Sequence, residues 1–154
     1  MRILIVDDNA SLRQLLASLF TKAGHEVVAI LEDGGPQVEE KIRRMLPDLV
    51  CLDYNLPGRD GITILKSIQI IAPQIHVLFM TASNDDDIEQ CAADAGASGF
   101  IRKPFGQAQI MRELAMVSEA RKHAACADSE PPADETTKSP HPSPDGQGAE
   151  RGTA

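Results

Sequence analysis

Tryptophan is missing from this 154-residue chain, tyrosine occurs once and phenylalanine four times, so aromatics make up only 3%. The apolar share of 42% is still enough for one core, and the length suits one domain. Basic residues are also short, 15 against 23 acids, for a net charge of −8. That balance argues against nucleic acid as a direct partner, because phosphate backbones are held by a Lys/Arg surplus. No apolar run approaches the ~18–20 residues of a membrane helix. The opening MRILIV is cut off by Asp7 and Asp8, too short for an export signal. The three cysteines (Cys51, Cys91 and Cys126) are odd in number, widely spaced and without CxxC pairs or His partners at metal spacing. Neither a disulfide framework nor a zinc site is supported, and a reducing cytoplasm is the expected location.

Large apolar side chains run out near the C-terminus. Residues 123–154 hold no Ile, Leu, Val, Met, Phe, Tyr or Trp, carry five of the ten prolines, and set six acids against two bases. Such a segment cannot offset the entropy of ordering, so a folded domain over 1–122 and a disordered tail over 123–154 are expected. The folded part contains no internal repeat.

Short apolar runs alternate with helical spacing. Ile3–Val6, Val27–Leu31, Leu49–Leu52, Ile75–Met80 and Ser98–Ile101 read as strands. Between them, Leu12, Leu15, Leu16, Leu19 and Phe20 form an apolar helix stripe ended by Gly24. Val38, Ile42, Met45 and Leu46 mark a second helix, and Ile62, Leu65, Ile68 and Ile71 a third. Residues 85–95 form the fourth, opened by the acids Asp85, Asp86 and Asp87, which suit a helix N-terminus. Ile110, Leu114 and Val117 stripe the last. Five strand-then-helix units predict a parallel α/β sheet with helices on both faces and strands buried on both sides.

The polar residues gain meaning from position. Asp7 and Asp8 end the first strand, Asp53 the third, while Thr81 and Lys103 follow the fourth and fifth. In an open parallel sheet the carboxyl ends of the strands share the edge where ligands bind. Three adjacent carboxylates repel one another, and a hard divalent cation, Mg2+ above all, resolves that repulsion. A Lys and a Thr beside the cation suit the oxygens of an anion, and an Asp nucleophile suits phosphoryl chemistry.

Four motifs in register, Val6-Asp7-Asp8-Asn9, Leu52-Asp53-Tyr54-Asn55-Leu56-Pro57-Gly58 through Asp60-Gly61, Thr81-Ala82 and Lys103-Pro104-Phe105, resemble the receiver domains of two-component response regulators. The resemblance spans the whole folded unit. It implies a flavodoxin-like (βα)5 sandwich with strand order 2-1-3-4-5 and phosphoacceptance on Asp53. Asp8 would be a direct Mg2+ ligand, Asp7 one acting mainly through water, and Asn55 a backbone-carbonyl ligand. Lys103 would pair with the phosphoryl group. Thr81 and Phe100 match switch positions, where the hydroxyl moves toward the phosphate and the ring follows inward. Ala82 leaves room for the phosphodonor, and Pro57, Gly58 and Gly61 shape the loop above the nucleophile.

Taken singly, these residues have plainer roles: Asp7, Asp8 or Asn9 as helix caps, Thr81 as a turn residue, Lys103 as a surface charge, Phe100 as core. Two other enzyme or binding classes fit less well. A haloacid-dehalogenase-type, Mg-dependent phosphatase needs an acid two residues after its nucleophile, where this chain has Asn55. A nucleotide-binding protein needs a Gly-rich phosphate loop where this chain has Asp7-Asp8-Asn9-Ala10-Ser11. The expectation is therefore a signalling protein rather than an enzyme. It takes phosphate from a sensor histidine kinase or phosphotransfer protein and signals to a protein target through the fourth helix, fifth strand and fifth helix. With only a tail expected beyond residue 122, that regulator is expected to stand alone. A phosphotransfer intermediate or phosphate sink is the alternative.

Overall fold

The computed structural model describes residues 1–127. Ten elements alternate along the chain: β1 (Arg2–Val6), α1 (Ala10–Lys22), β2 (Glu26–Leu31), α2 (Gln37–Met45), β3 (Leu49–Asp53), α3 (Gly61–Ile71), β4 (His76–Thr81), α4 (Asp86–Asp94), β5 (Gly99–Arg102) and α5 (Gln107–Ala127). The five strands form one parallel sheet in the order β2-β1-β3-β4-β5. Strand boundaries fall within a residue of those expected.

Side-chain alternation along the strands divides the interior into two cores. Ile3, Ile5, Leu49, Cys51, Leu78, Met80 and Ile101 point to the side covered by α1 and α5, where Leu16, Phe20, Ile110 and Leu114 meet them. Leu4, Val6, Val50, Leu52, Val77 and Phe79 point to the side of α2, α3 and α4, against Val38, Ile42, Ile64, Leu65, Ile68 and Ala92. Both faces are dry, which is why these strands carry continuous apolar runs.

Three expectations need correction. The second strand is not buried on both faces: β2 lies at the sheet edge, half-buried, with Ile30 46% exposed. Leu15 drops out of the α1 stripe at 48% exposure, because the buried arc is narrow and is filled by Leu16, Leu19 and Phe20. The folded chain does not stop at residue 122, since α5 continues to Ala127. The added residues 123–127 bring no large apolar side chain and follow Arg121, which pairs with Asp48 at 2.7 Å. The remainder of the expected tail, 128–154, lies outside the described residues.

Candidate functional site at the carboxyl edge of the sheet

The sheet ladder extends one residue past the strands and fixes the backbone of the site. Asp7 N–H donates to Leu31 O (3.1 Å), Tyr54 N–H to Met80 O (2.8 Å), and Lys103 N–H to Thr81 O (2.7 Å). The edge thereby gathers Asp7 and Asp8 from just beyond β1, Asp53 from the end of β3, Thr81 from the end of β4 and Lys103 from beyond β5. The Lys103–Pro104 peptide is cis.

The carboxylates of Asp7, Asp8 and Asp53 each offer an oxygen, all within 4.8 Å of one another. Asp7 is fully buried, Asp53 is 2% exposed, and Asp8 faces solvent. Lys103 Nζ reaches between the two buried acids, 2.7 Å from Asp7 Oδ2 and 3.1 Å from Asp53 Oδ1. The ammonium hydrogen-bonds to Asp7. Its approach to Asp53 is an ion pair without hydrogen-bond alignment, so Asp53 Oδ1 is buried with no donor. Burial pushes the Asp53 carboxyl above the usual carboxylate range; Lys103 opposes the shift, and the charges of Asp7 and Asp8 add to it.

A buried carboxylate oxygen with no donor, beside two further carboxylates, fits a hard divalent cation on oxygen ligands. The donor set matches Mg2+: all oxygen, no thiolate or imidazole. Cys51, the only buried thiol among the described residues, lies on β3 in the α1/α5 core, where burial pushes its pKa up and leaves it inert.

Asp7 is more committed than the sequence suggested. Its Oδ1 accepts from Asn9 N–H (2.8 Å), its Oδ2 holds Lys103, and its carbonyl accepts from Arg13 Nη1 (2.7 Å). Asp8, by contrast, has no hydrogen-bond donor among the described residues, which leaves both its oxygens available to a cation. Asn9 is the helix cap, accepting from Leu12 N–H at 3.1 Å. Thr81 is buried, and its Oγ1 accepts from Ser83 N–H (3.0 Å), which leaves the hydroxyl proton free to donate. Ala82 is exposed beside it, and Asn55 is exposed in the loop after Asp53.

Phe100 sits away from the carboxylates, half-buried. Its ring stacks on Phe79 with centroids 6.1 Å apart, and Phe79 in turn meets Tyr54, also at 6.1 Å. The row connects the residue following Asp53 to β5. Over the outer face of Phe100 lies Arg102, 6.0 Å from the centroid, paired with Asp86 and with Glu89 (3.0 Å) on α4. Sequence reading missed Arg13 and Arg102, whose partners lie 6 to 19 residues away and follow no local motif.

Residues 3–115 match the family model of the response regulator receiver domain. The chain is 40% identical over 113 residues to chemotaxis protein CheY of Bacillus subtilis (strain 168), covering 73% of this chain and 93% of that one. It is 39% identical over 104 residues to sporulation initiation phosphotransferase F of the same organism, covering 68% and 82%. Among solved structures, the CheX-CheY-BeF3-Mg+2 complex from Borrelia burgdorferi aligns with a TM-score of 0.72 at 28% identity, over 77% of this chain and 89% of that one.

Proposed function

The chain belongs to the receiver domains of two-component response regulators, and from that premise we propose that it is a single-domain regulator phosphorylated on Asp53. The observation carrying this reading is the buried, donorless Asp53 Oδ1 between Asp7, Asp8 and Lys103. The single-domain role is supported by the extent of the match, 93% and 82% of two relatives. The proposed donor is a phosphohistidine of a sensor kinase or phosphotransfer protein, and the proposed location is the cytoplasm.

In the proposed step an Asp53 oxygen attacks phosphorus in line, the phosphorus–nitrogen bond of the donor breaks, and the imidazole leaves with its electron pair. Asp8, Asp53, the Asn55 carbonyl and, through water, Asp7 would hold Mg2+. When bound, it neutralises charge building on the transferring oxygens. Lys103 turns from Asp53 to a phosphoryl oxygen, still anchored to Asp7. Thr81, whose hydroxyl proton is uncommitted, donates to another. Phosphorylation then biases contacts at α4, β5 and α5. Incubation of the full chain with Mg2+ and a small phosphodonor should add one phosphoryl group by intact mass. A panel of kinases from the same source identifies the physiological donor; no labelling by either route would sink the proposal. The likeness to phosphotransferase F supports a second reading, a phosphotransfer intermediate, in which label passes onward from Asp53 to a histidine protein.

Metal affinity separates the first two acids. Asp8→Ala should weaken Mg2+ binding more than Asp7→Ala, because Asp7 is already held by Lys103 and Asn9 while Asp8 is held by neither. Fluorescence of Tyr54, the chain's single tyrosine, reports the titration. Parent-like affinity in both variants would rule the site out.

Signal readout tests Thr81. Thr81→Ala should still accept phosphate but lose most of the response at α4, β5 and α5, since the link from phosphoryl group to Phe100 and Arg102 begins at that hydroxyl. Lys103→Arg should behave similarly, a planar guanidinium being a poor substitute for a compact ammonium. The measurement is amide NMR with and without beryllofluoride. The full parental set of shifts in Thr81→Ala would contradict the coupling.

A further inference from the structure

The loop between β3 and α3, residues 54–60, is tied at its base by Gly61 N–H donating to Tyr54 O (2.9 Å) and at its tip by Gly34 N–H donating to Pro57 O (3.0 Å). A third tie is of a different kind. Arg59, on the far limb of the loop, extends its guanidinium across to α2 and the turn before it. Nη1 and Nη2 meet the two carboxylate oxygens of Glu39 at 2.8 Å each, Nε donates to Gly34 O (2.7 Å) and Nη2 to Gly35 O (3.2 Å). Glu39 is itself fixed from α3, where Ser67 Oγ donates to Oε1 at 2.7 Å. One side chain thus joins the loop, the β2–α2 turn and two helices.

The pair is a strong one of its type. The fork geometry is bidentate, and Glu39 is only 12% exposed. The guanidinium holds the Glu39 carboxyl down at about 2. Gly34 shows how close the packing is: a Cβ there would lie 2.8 Å from Arg59 O and 2.8 Å from Ile64 Cδ1. Nothing in the pair touches the carboxylates of Asp7, Asp8 or Asp53, so its bearing on the site runs through the loop.

We infer that the Arg59–Glu39 fork is a positioning device for the cation site, holding the 54–60 loop so that the Asn55 carbonyl, the ligand proposed above, would meet a cation bound beside Asp53. The inference rests on the reading of the site given above. A loop already ordered binds a cation without the cost of ordering it, so loosening the loop weakens binding without altering a ligand.

At Arg59 charge and position make opposite demands, which makes the test decisive. Through space, removing the cation Arg59 strengthens attraction for Mg2+ and removing the anion Glu39 weakens it. Through positioning, Arg59→Met and Glu39→Gln both weaken it, and so does Arg59→Lys, which keeps the charge but loses the fork. Calorimetric Mg2+ titration of the full chain should give about tenfold weaker binding in Arg59→Met, at the lower end of the range for residues that orient metal ligands. Amide hydrogen exchange of the metal-free protein should quicken at residues 54–60. At saturating Mg2+, labelling by a small phosphodonor should return to the parent rate, since no reacting group has changed. Opposite shifts in Arg59→Met and Glu39→Gln, or parental affinity in Arg59→Lys, would overturn the inference. Should Arg59→Met fail to fold, Arg59→Lys decides by the same criterion. A parent that binds no Mg2+ would overturn this and the reading of the site together, whereas a parent that binds with unchanged variants overturns this alone.

Discussion

Asp53→Asn is expected to abolish phosphoryl labelling and, in the same protein, to raise the stability of the metal-free fold. The two effects have one origin. Asp53 is buried against Asp7 and Asp8, and its raised pKa means that the folded state disfavours its charge. The sign follows from linkage. An acid whose folded pKa lies above its unfolded value costs stability at every pH above the unfolded value, increasingly as pH rises through the folded one. An isosteric amide removes that cost at neutral pH while Lys103 keeps Asp7 as its partner at 2.7 Å. It also removes the nucleophile, because an amide oxygen forms no acyl phosphate under these conditions. Chelation of divalent metal should abolish labelling of the parent as well. The checks are intact mass after exposure to a small phosphodonor and urea unfolding in chelator. Undiminished labelling of the variant would remove Asp53 as acceptor, and a lower urea midpoint would contradict the electrostatic account.

Gly61→Ala is expected to destabilise the domain by about 2–3 kcal/mol, the upper part of the range for overfilled sites, and to weaken Mg2+ binding with it. A Cβ at Gly61 would lie 2.5 Å from Asp53 O, 2.8 Å from Tyr54 Cα and 3.0 Å from Phe79 Cε2. Two of those neighbours are backbone and cannot rotate away, so the start of α3 must move off the end of β3. That movement disturbs both the acceptor and the loop that follows it. Gly58 in the same loop supplies the control. Nothing lies within 4 Å of its would-be Cβ, but its φ is +92°. Gly58→Ala should therefore cost only the conformational penalty of about 1–2 kcal/mol and leave affinity closer to the parent. Thermal unfolding and Mg2+ titration of both variants make the comparison. Equal affinity losses would show that loop strain rather than steric displacement governs the site.

Much of this protein was legible in one dimension. Apolar runs broken by helical spacing are forced by a sheet covered on both faces, so the alternation itself specified five strands, five helices and their layers. The order β2-β1-β3-β4-β5 came by way of the family resemblance, and the observed topology bears it out. Because each acid, the Thr and the Lys stand where an apolar run stops, the chain also announced that Asp7, Asp8, Asp53, Thr81 and Lys103 would meet at one edge.

Tertiary structure decided the rest. Periodicity reports that a side chain faces inward but not whether anything lies opposite: β2 has no strand beyond it at the sheet edge, and Leu15 falls outside the narrow arc of α1 that Leu16, Leu19 and Phe20 fill, so both stand half in solvent. Composition placed the end of the fold at residue 122, whereas an ion pair to Asp48, 73 positions upstream of Arg121, accompanies α5 through Ala127. Only the tertiary structure divides the labour of the acids, giving Asp7 to Lys103 and Asn9 and leaving Asp53 Oδ1 without a donor. The Arg59–Glu39 fork is the plainest case. It joins residues 20 apart whose pairing no motif records, and only chain folding brings a loop arginine over a helix carboxylate at 2.8 Å. Local order follows from backbone geometry and burial, which each residue carries with it; partnership between charges depends on where the whole chain brings them.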